Sequence, residues 1–176
     1  MKRLLVALVA SLATVGSVEA KTDFRLQSAD FANGSPIPSA HEGNSFGCNG
    51  RNVSPTLSWS GAPVHTRGFA LTVVDPDAPT AGGFVHWLVY NIPASRHTIG
   101  PSALKGTQQG RNDAGINGYF GPCPPPGSGP HHYHFTLYAL NISHARGSSH
   151  LNLSALRRAM KGHVLKTATL IGTFQR

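Results

Sequence analysis

Twenty glycines and thirteen prolines punctuate this chain, and they gather between short apolar runs instead of spreading evenly. Both residues interrupt helices and end strands, so a chain divided this way keeps mostly short extended elements. The clearest runs are Phe69–Val74, Phe84–Ile92, Tyr133–Leu140 and Ala168–Phe174, with Thr56–Trp59 a shorter candidate. The second and third are apolar on both faces, which places them in the middle of a sheet covered on each side. One amphipathic helix is predicted over Ser154–Leu165: Ser154 is the N-cap candidate, and Leu156, Met160 and Val164 recur on one face. The pattern is mostly β with a few helical pieces. Thr98–Pro130 carries little periodicity, and a loop of that length in a compact domain is usually functional or disordered.

Residues 1–20 read as a cleavable export signal. Met1-Lys2-Arg3 supplies the positive start, Leu4–Gly16 the apolar stretch, and Val18-Glu19-Ala20 a cleavage site after Ala20. The apolar stretch is short of the ~20 residues that span a bilayer, so no stable membrane anchor is expected. Residues 21–176 are then one domain, periplasmic or secreted. Losing Lys2, Arg3 and Glu19 leaves 13 basic against 6 acidic residues, a net charge of +7. This favours anionic ligands, but the cations are scattered and no basic stripe interleaves with aromatics, so nucleic acid is not an expected partner. Two cysteines, Cys48 and Cys123, in an exported chain predict one disulfide.

Three segments put ionisable groups where a core would not ask for them. Alternation sets Asp75 on the face of Phe69, Leu71 and Val73, at the exit of its strand. The same alternation pairs His86 with Leu88 and Tyr90. In the run His131–Phe135, period two separates His131, Tyr133 and Phe135 from His132 and His134. The histidines therefore do not converge as metal ligands, and no metal or cofactor is expected. Nucleophile-elbow, P-loop and dinucleotide-binding glycine motifs are all missing from the sequence. Asp75, His86 and His131 suit a small pocket for a phosphate-like or carboxylate group, with imidazoles and loop N–H groups as donors.

Asp75–Pro79 (DPDAP), His86-Trp87, Gly110–Asp113 (GRND), Gly118–Gly127 (GYFGPCPPPG) and His131–Tyr133 (HHY) stand in one order along the chain. Asn52–Pro55 and Leu57-Ser58-Trp59 precede them. Together they resemble the phosphatidylethanolamine-binding protein family, in its prokaryotic, Raf-kinase-inhibitor-like branch, over about residues 24–176. The resemblance implies an antiparallel β-sandwich with a few peripheral helices and one anion pocket. By position, the family's ligand-binding residues fall on Asp75, Pro79, His86, Pro125, His131 and Tyr133, with Cys123 contributing its backbone N–H. Asp77 matches an acid that fixes the loop. His132 stands where the family often has Arg.

The leading expectation is an exported binding protein, not an enzyme, whose pocket accepts a small anion such as a phosphate ester or lipid headgroup. A protein-interaction or inhibitor module, docking an acidic or phosphorylated side chain of a protein partner, is the alternative. An acid–base hydrolase using Asp75 with His86 or His131 ranks last, since no nucleophile is evident. With imidazoles titrating near ~6.5, affinity for an anion is expected to rise as the pH falls from about 8 to about 6.

Overall fold

The computed structural model describes residues 23–101, 104–147 and 150–176; the expected export signal lies outside them. Two antiparallel sheets make up the fold, as expected. The smaller is ordered β1-β2-β5, from β1 (Arg25–Ser28), β2 (Leu57–Ser60) and β5 (Thr98–Ile99). The larger is ordered β6-β4-β3-β7-β8, from β3 (Gly68–Asp75), β4 (Phe84–Pro93), β6 (Gln108–Gln109), β7 (His131–Leu140) and β8 (Val164–Phe174).

The central strands are apolar on both faces because both faces are covered. Phe69, Leu71, Val73, Trp87, Val89, Phe135 and Leu137 face the smaller sheet and pack with Leu26, Leu57 and Trp59. Ala70, Val85, Leu88 and Tyr90 face the other way, under helix α1 (Leu153–Met160), where Leu156 and Met160 close the second core. Trp87, fully buried, contributes on the order of 2–3 kcal/mol through burial alone.

The helix departs from the sequence expectation at both ends. Asn152, not Ser154, is the N-cap: its side-chain oxygen accepts the Ala155 N–H at 2.9 Å. Ser154 lies inside the first turn and receives a bond from the Arg158 guanidinium. At the other end the helix stops at Met160. Gly162 adopts a left-handed φ of 79°, and the chain turns directly into β8, where Val164 pairs with Leu140. The helical spacing of Val164 was coincidental; Val164 and Leu165 are exposed strand residues. Besides α1, the described residues contain one short 3-10 turn, Ser39–His41.

β4 does not run in simple register with β3. Asp75 pairs with Phe84 and Val74 with Val85, but Val73 pairs with Trp87, so β4 has one residue too many at His86. This is a β-bulge, and it re-aims the side chain of the extra residue. A second irregularity lies between Phe69 and Leu71, beside Asn91, whose φ is 56°.

The capping geometry gives a direct test. Asn152→Ala should lower stability by about 1 kcal/mol in urea unfolding, while Ser154→Ala should stay within about 0.5 kcal/mol of the parent. The reverse order would restore Ser154 as the cap.

Candidate functional site

Asp75 ends β3, His86 sits in the bulge near the start of β4, and His131 and Tyr133 begin β7. Antiparallel neighbours bring these positions to one end of the larger sheet. They form the floor of a pocket of about 330 Å³. Pro79 lines it from the β3–β4 loop, and Cys123 and Pro125 from the segment that follows Phe120. All seven residues expected from the sequence therefore meet in one cavity.

Four residues on the floor are polar and buried: Asp75, His86, His131 and Tyr133. His131 Nδ1 donates to Asp75 Oδ2 at 2.7 Å, and Asp75 Oδ1 accepts the Asp77 N–H at 2.9 Å. Both carboxylate oxygens are thus in use. His131 Nε2 lies 3.0 Å from the Ser128 hydroxyl oxygen, which is also 2.8 Å from the Pro125 carbonyl, so the single hydroxyl proton serves one of the two. Both nitrogens of His131 have a partner within reach as well.

His86 is arranged differently. The bulge places its ring edge-on to Tyr133, with centroids 5.0 Å apart, and nearly parallel to Phe120. It belongs with the pocket residues and not with Leu88 and Tyr90, which face the helix. Simple alternation fails because the extra residue breaks period two at this point. His86 Nδ1 lies 2.8 Å from the Phe120 carbonyl, an acceptor only, so Nδ1 carries the proton. Burial pulls the imidazole down to about 4, outweighing the Phe120 carbonyl, the Asp75 charge and the Gly121 backbone, which favour the charged ring. His86 is therefore a neutral group at ordinary pH, and its titration does not fall in the window of about 6 to 8 expected for an ordinary imidazole.

The Tyr133 hydroxyl is buried and has no hydrogen-bond partner among the described residues. Burial, reinforced by the nearby Asp75 charge, pushes its phenol far above the usual range, so it stays an O–H. An unsatisfied buried hydroxyl costs on the order of 1–3 kcal/mol, which a ligand acceptor recovers.

Asp77 and His132 lie outside the pocket lining. Asp77 Oδ2 accepts both the His132 backbone N–H at 2.8 Å and His132 Nδ1 at 2.7 Å, tying the β3–β4 loop to β7. The side-chain bond from His132 holds the Asp77 carboxyl below its ordinary range. Asp77 thus fixes the loop, and His132 points away from the cavity, as period two requires.

The remaining walls were not evident in the sequence. Phe46, Phe84 and Phe120 make the site largely apolar, and Thr80, Asp113, Ala114 and Pro124 complete it. Phe120 and Pro124 lie within the GYFGPCPPPG segment, but nothing local marks Phe46. It is 74% exposed at the mouth, edge-on to Phe120 with centroids 5.7 Å apart. The Cys48–Cys123 disulfide ties its loop to the pocket wall, with Cα atoms 5.9 Å apart. Arg176 clamps the same two loops, donating from Nε to the Pro124 carbonyl and from Nη1 to the Gly47 carbonyl. Asn52 does likewise, donating to the Tyr119 carbonyl and accepting the Gly121 N–H. Gly121 has no alternative here, because a Cβ would run into the His41 carbonyl.

Two measurements follow from this geometry. His86 takes its proton near 4 in the folded protein and near 6.5 when unfolded. The unfolded chain therefore binds more protons between those values. The stabilising contribution is complete above about pH 6.5, declines as the pH falls, and is exhausted below about pH 4. Urea titrations across that range should show a loss of about 3 kcal/mol in the parent that disappears in His86→Gln. Separately, Cys48→Ser or Cys123→Ser should cost up to about 4 kcal/mol, the chain-entropy value for a loop of this length. Non-reducing peptide mapping that finds two free thiols in protein from its native compartment would remove the bridge.

Comparison with known proteins agrees with this architecture. A family model described as phosphatidylethanolamine-binding protein matches residues 27–175. The Escherichia coli protein YbcL is 36% identical over an alignment of 183 residues, covering 99% of each chain. Its crystal structure superposes with a TM-score of 0.83, covering 88% of this chain and 99% of that one. The Chlamydia trachomatis homologue CT736 has a TM-score of 0.77 at 35% identity, covering 87% and 97%. LppC of Mycobacterium tuberculosis, named as a lipoprotein, is 42% identical over 149 residues, covering 82% of this chain and 69% of its own. With sequence, strand order and the match over residues 27–175 in agreement, the chain belongs to the phosphatidylethanolamine-binding protein family.

Proposed function

We propose that this is an exported binding protein whose pocket holds a small phosphate-like anion, a phosphate ester or lipid headgroup, without turning it over. The observation that carries this reading is the unpartnered Tyr133 hydroxyl on a floor shared with the Asp75–His131 pair. A buried donor left open, beside polar groups that satisfy one another, calls for an acceptor from outside. Apolar walls exclude water and strengthen the bond made there. The net positive charge draws anions toward the molecule. Export is supported by the disulfide, by the leader-like residues 1–20 and by similarity to a protein named as a lipoprotein.

A second reading, docking of a phosphorylated or acidic side chain of a protein partner, draws on one further observation. Asp113 stands between the pocket and a broader groove lined by Arg157, Arg158 and Lys161. Residues flanking a phosphorylated side chain would meet those cations.

Calorimetric titration with inorganic phosphate and phosphoethanolamine should give saturable binding. His86→Ala and Tyr133→Phe should weaken it by at least ~10-fold, the loss expected of one hydrogen bond to a charged ligand, while circular dichroism shows an intact fold. Variants that bind as the parent does would remove the site assignment. A phosphopeptide that binds tighter than phosphoethanolamine, and loses that gain in Arg157→Glu/Arg158→Glu, would favour the second reading.

A further inference from the structure

The pocket floor presents a lone pair as well as a proton. Of its four buried polar side chains, Asp75 and His131 spend their polar atoms on each other, Asp77 and Ser128. The Tyr133 hydroxyl has no hydrogen-bond partner among the described residues, and the bond that His86 makes to the Phe120 carbonyl uses Nδ1, not Nε2. With Nδ1–H committed to the Phe120 carbonyl, the neutral His86 ring is an acceptor at Nε2. Both rings line the same cavity, edge to face with centroids 5.0 Å apart.

From this donor–acceptor pair we infer that the pocket selects ligands by a proton: it takes phosphate monoesters and hydrogen phosphate, whose P–OH donates to His86 Nε2 while another oxygen accepts from Tyr133. It discriminates against isosteres without that proton, namely phosphodiesters and sulfate. The inference rests on the anion-binding reading above and narrows its ligand class. A sulfate or diester oxygen at Nε2 would set lone pair against lone pair. Such an anion enters only if His86 gains a proton, which the burial of the ring opposes. The Asp75 and Asp113 charges favour a charged ring but do not overcome its burial. Asp75 from β3 has both oxygens occupied, His131 from β7 is held by Asp75 and Ser128, and Asp113 accepts the Val85 N–H at 2.8 Å.

The test compares three small probes by calorimetry: methyl phosphate, dimethyl phosphate and sulfate. At about pH 5.5 a phosphate monoester carries its acid proton, since its second pKa is near ~6. Methyl phosphate should then bind roughly 10- to 100-fold tighter than either of the others, the penalty range for an unpaired buried group. At about pH 7.5, where the monoester is mostly the dianion, its binding should take up close to one proton, read from buffers of different ionisation enthalpy. Nitrogen NMR of the His86 ring should show the neutral Nδ1–H tautomer in both free and methyl phosphate-bound protein. Equal affinity for the three probes, or an imidazolium at His86 in the methyl phosphate complex, overturns the inference while leaving anion binding intact. If none of the three binds, the anion reading fails and this inference with it.

Discussion

Everything in this protein is arranged around a strand that is buried on both faces. β3 pairs with β4 on one side and β7 on the other, and seven of its eight residues are buried. A strand in that position cannot be left half covered, so the smaller sheet must close one face and α1 with its flanking loops the other. The same burial decides where polar groups can go. They are excluded along the strand and tolerated only at its end, where Asp75 meets His131 from β7. The pocket is a consequence of ending three buried strands together.

Loops around such an end would be floppy if their backbones were unsatisfied, and here they are not. Asn112, itself buried, donates to the His86 and Gly118 carbonyls and accepts the Ile116 N–H, which folds the long segment after β6 back over the site. Asn52, Arg176 and the disulfide hold the other wall. Few side chains are left to reorganise when a ligand enters, so little ordering entropy opposes binding. The open groups are few and specific, and selectivity by hydrogen-bond type becomes available to a site that has no free permanent cation on its floor.

Much of this was legible beforehand. The strands β3, β4, β7 and β8 follow from apolar runs bounded by turn residues, and the split of His131 and Tyr133 from His132 and His134 follows from period two. The segment Thr98–Pro130 reads in sequence as one long loop, functional or disordered, whereas it holds the short strands β5 and β6 and sends Ile99 and Tyr119 into the main core, because single apolar residues spaced among turn residues leave no periodic signal. Less legible were the helix ends. Asn152 and Ser154 are both good capping residues, and only the packing of Leu156 and Met160 onto the second core chooses between them. Phe46 had no local signal, because its loop is held at the pocket by a disulfide between cysteines 75 residues apart.

By itself the sequence determined a mostly β domain, its central strands, and the residue types gathered at the site, because hydrophobic periodicity and turn chemistry are local and are written in neighbouring residues. Tertiary structure alone decided what those residues do. The bulge that turns His86 toward Tyr133 exists only in the pairing of β4 with β3, and the carbonyl that sets its tautomer comes from Phe120, 34 residues away. The depressed proton affinity of His86 arises from burial beneath loops drawn from several parts of the chain. Register, desolvation and long-range hydrogen bonds are properties of the assembled fold, and no window of sequence contains them.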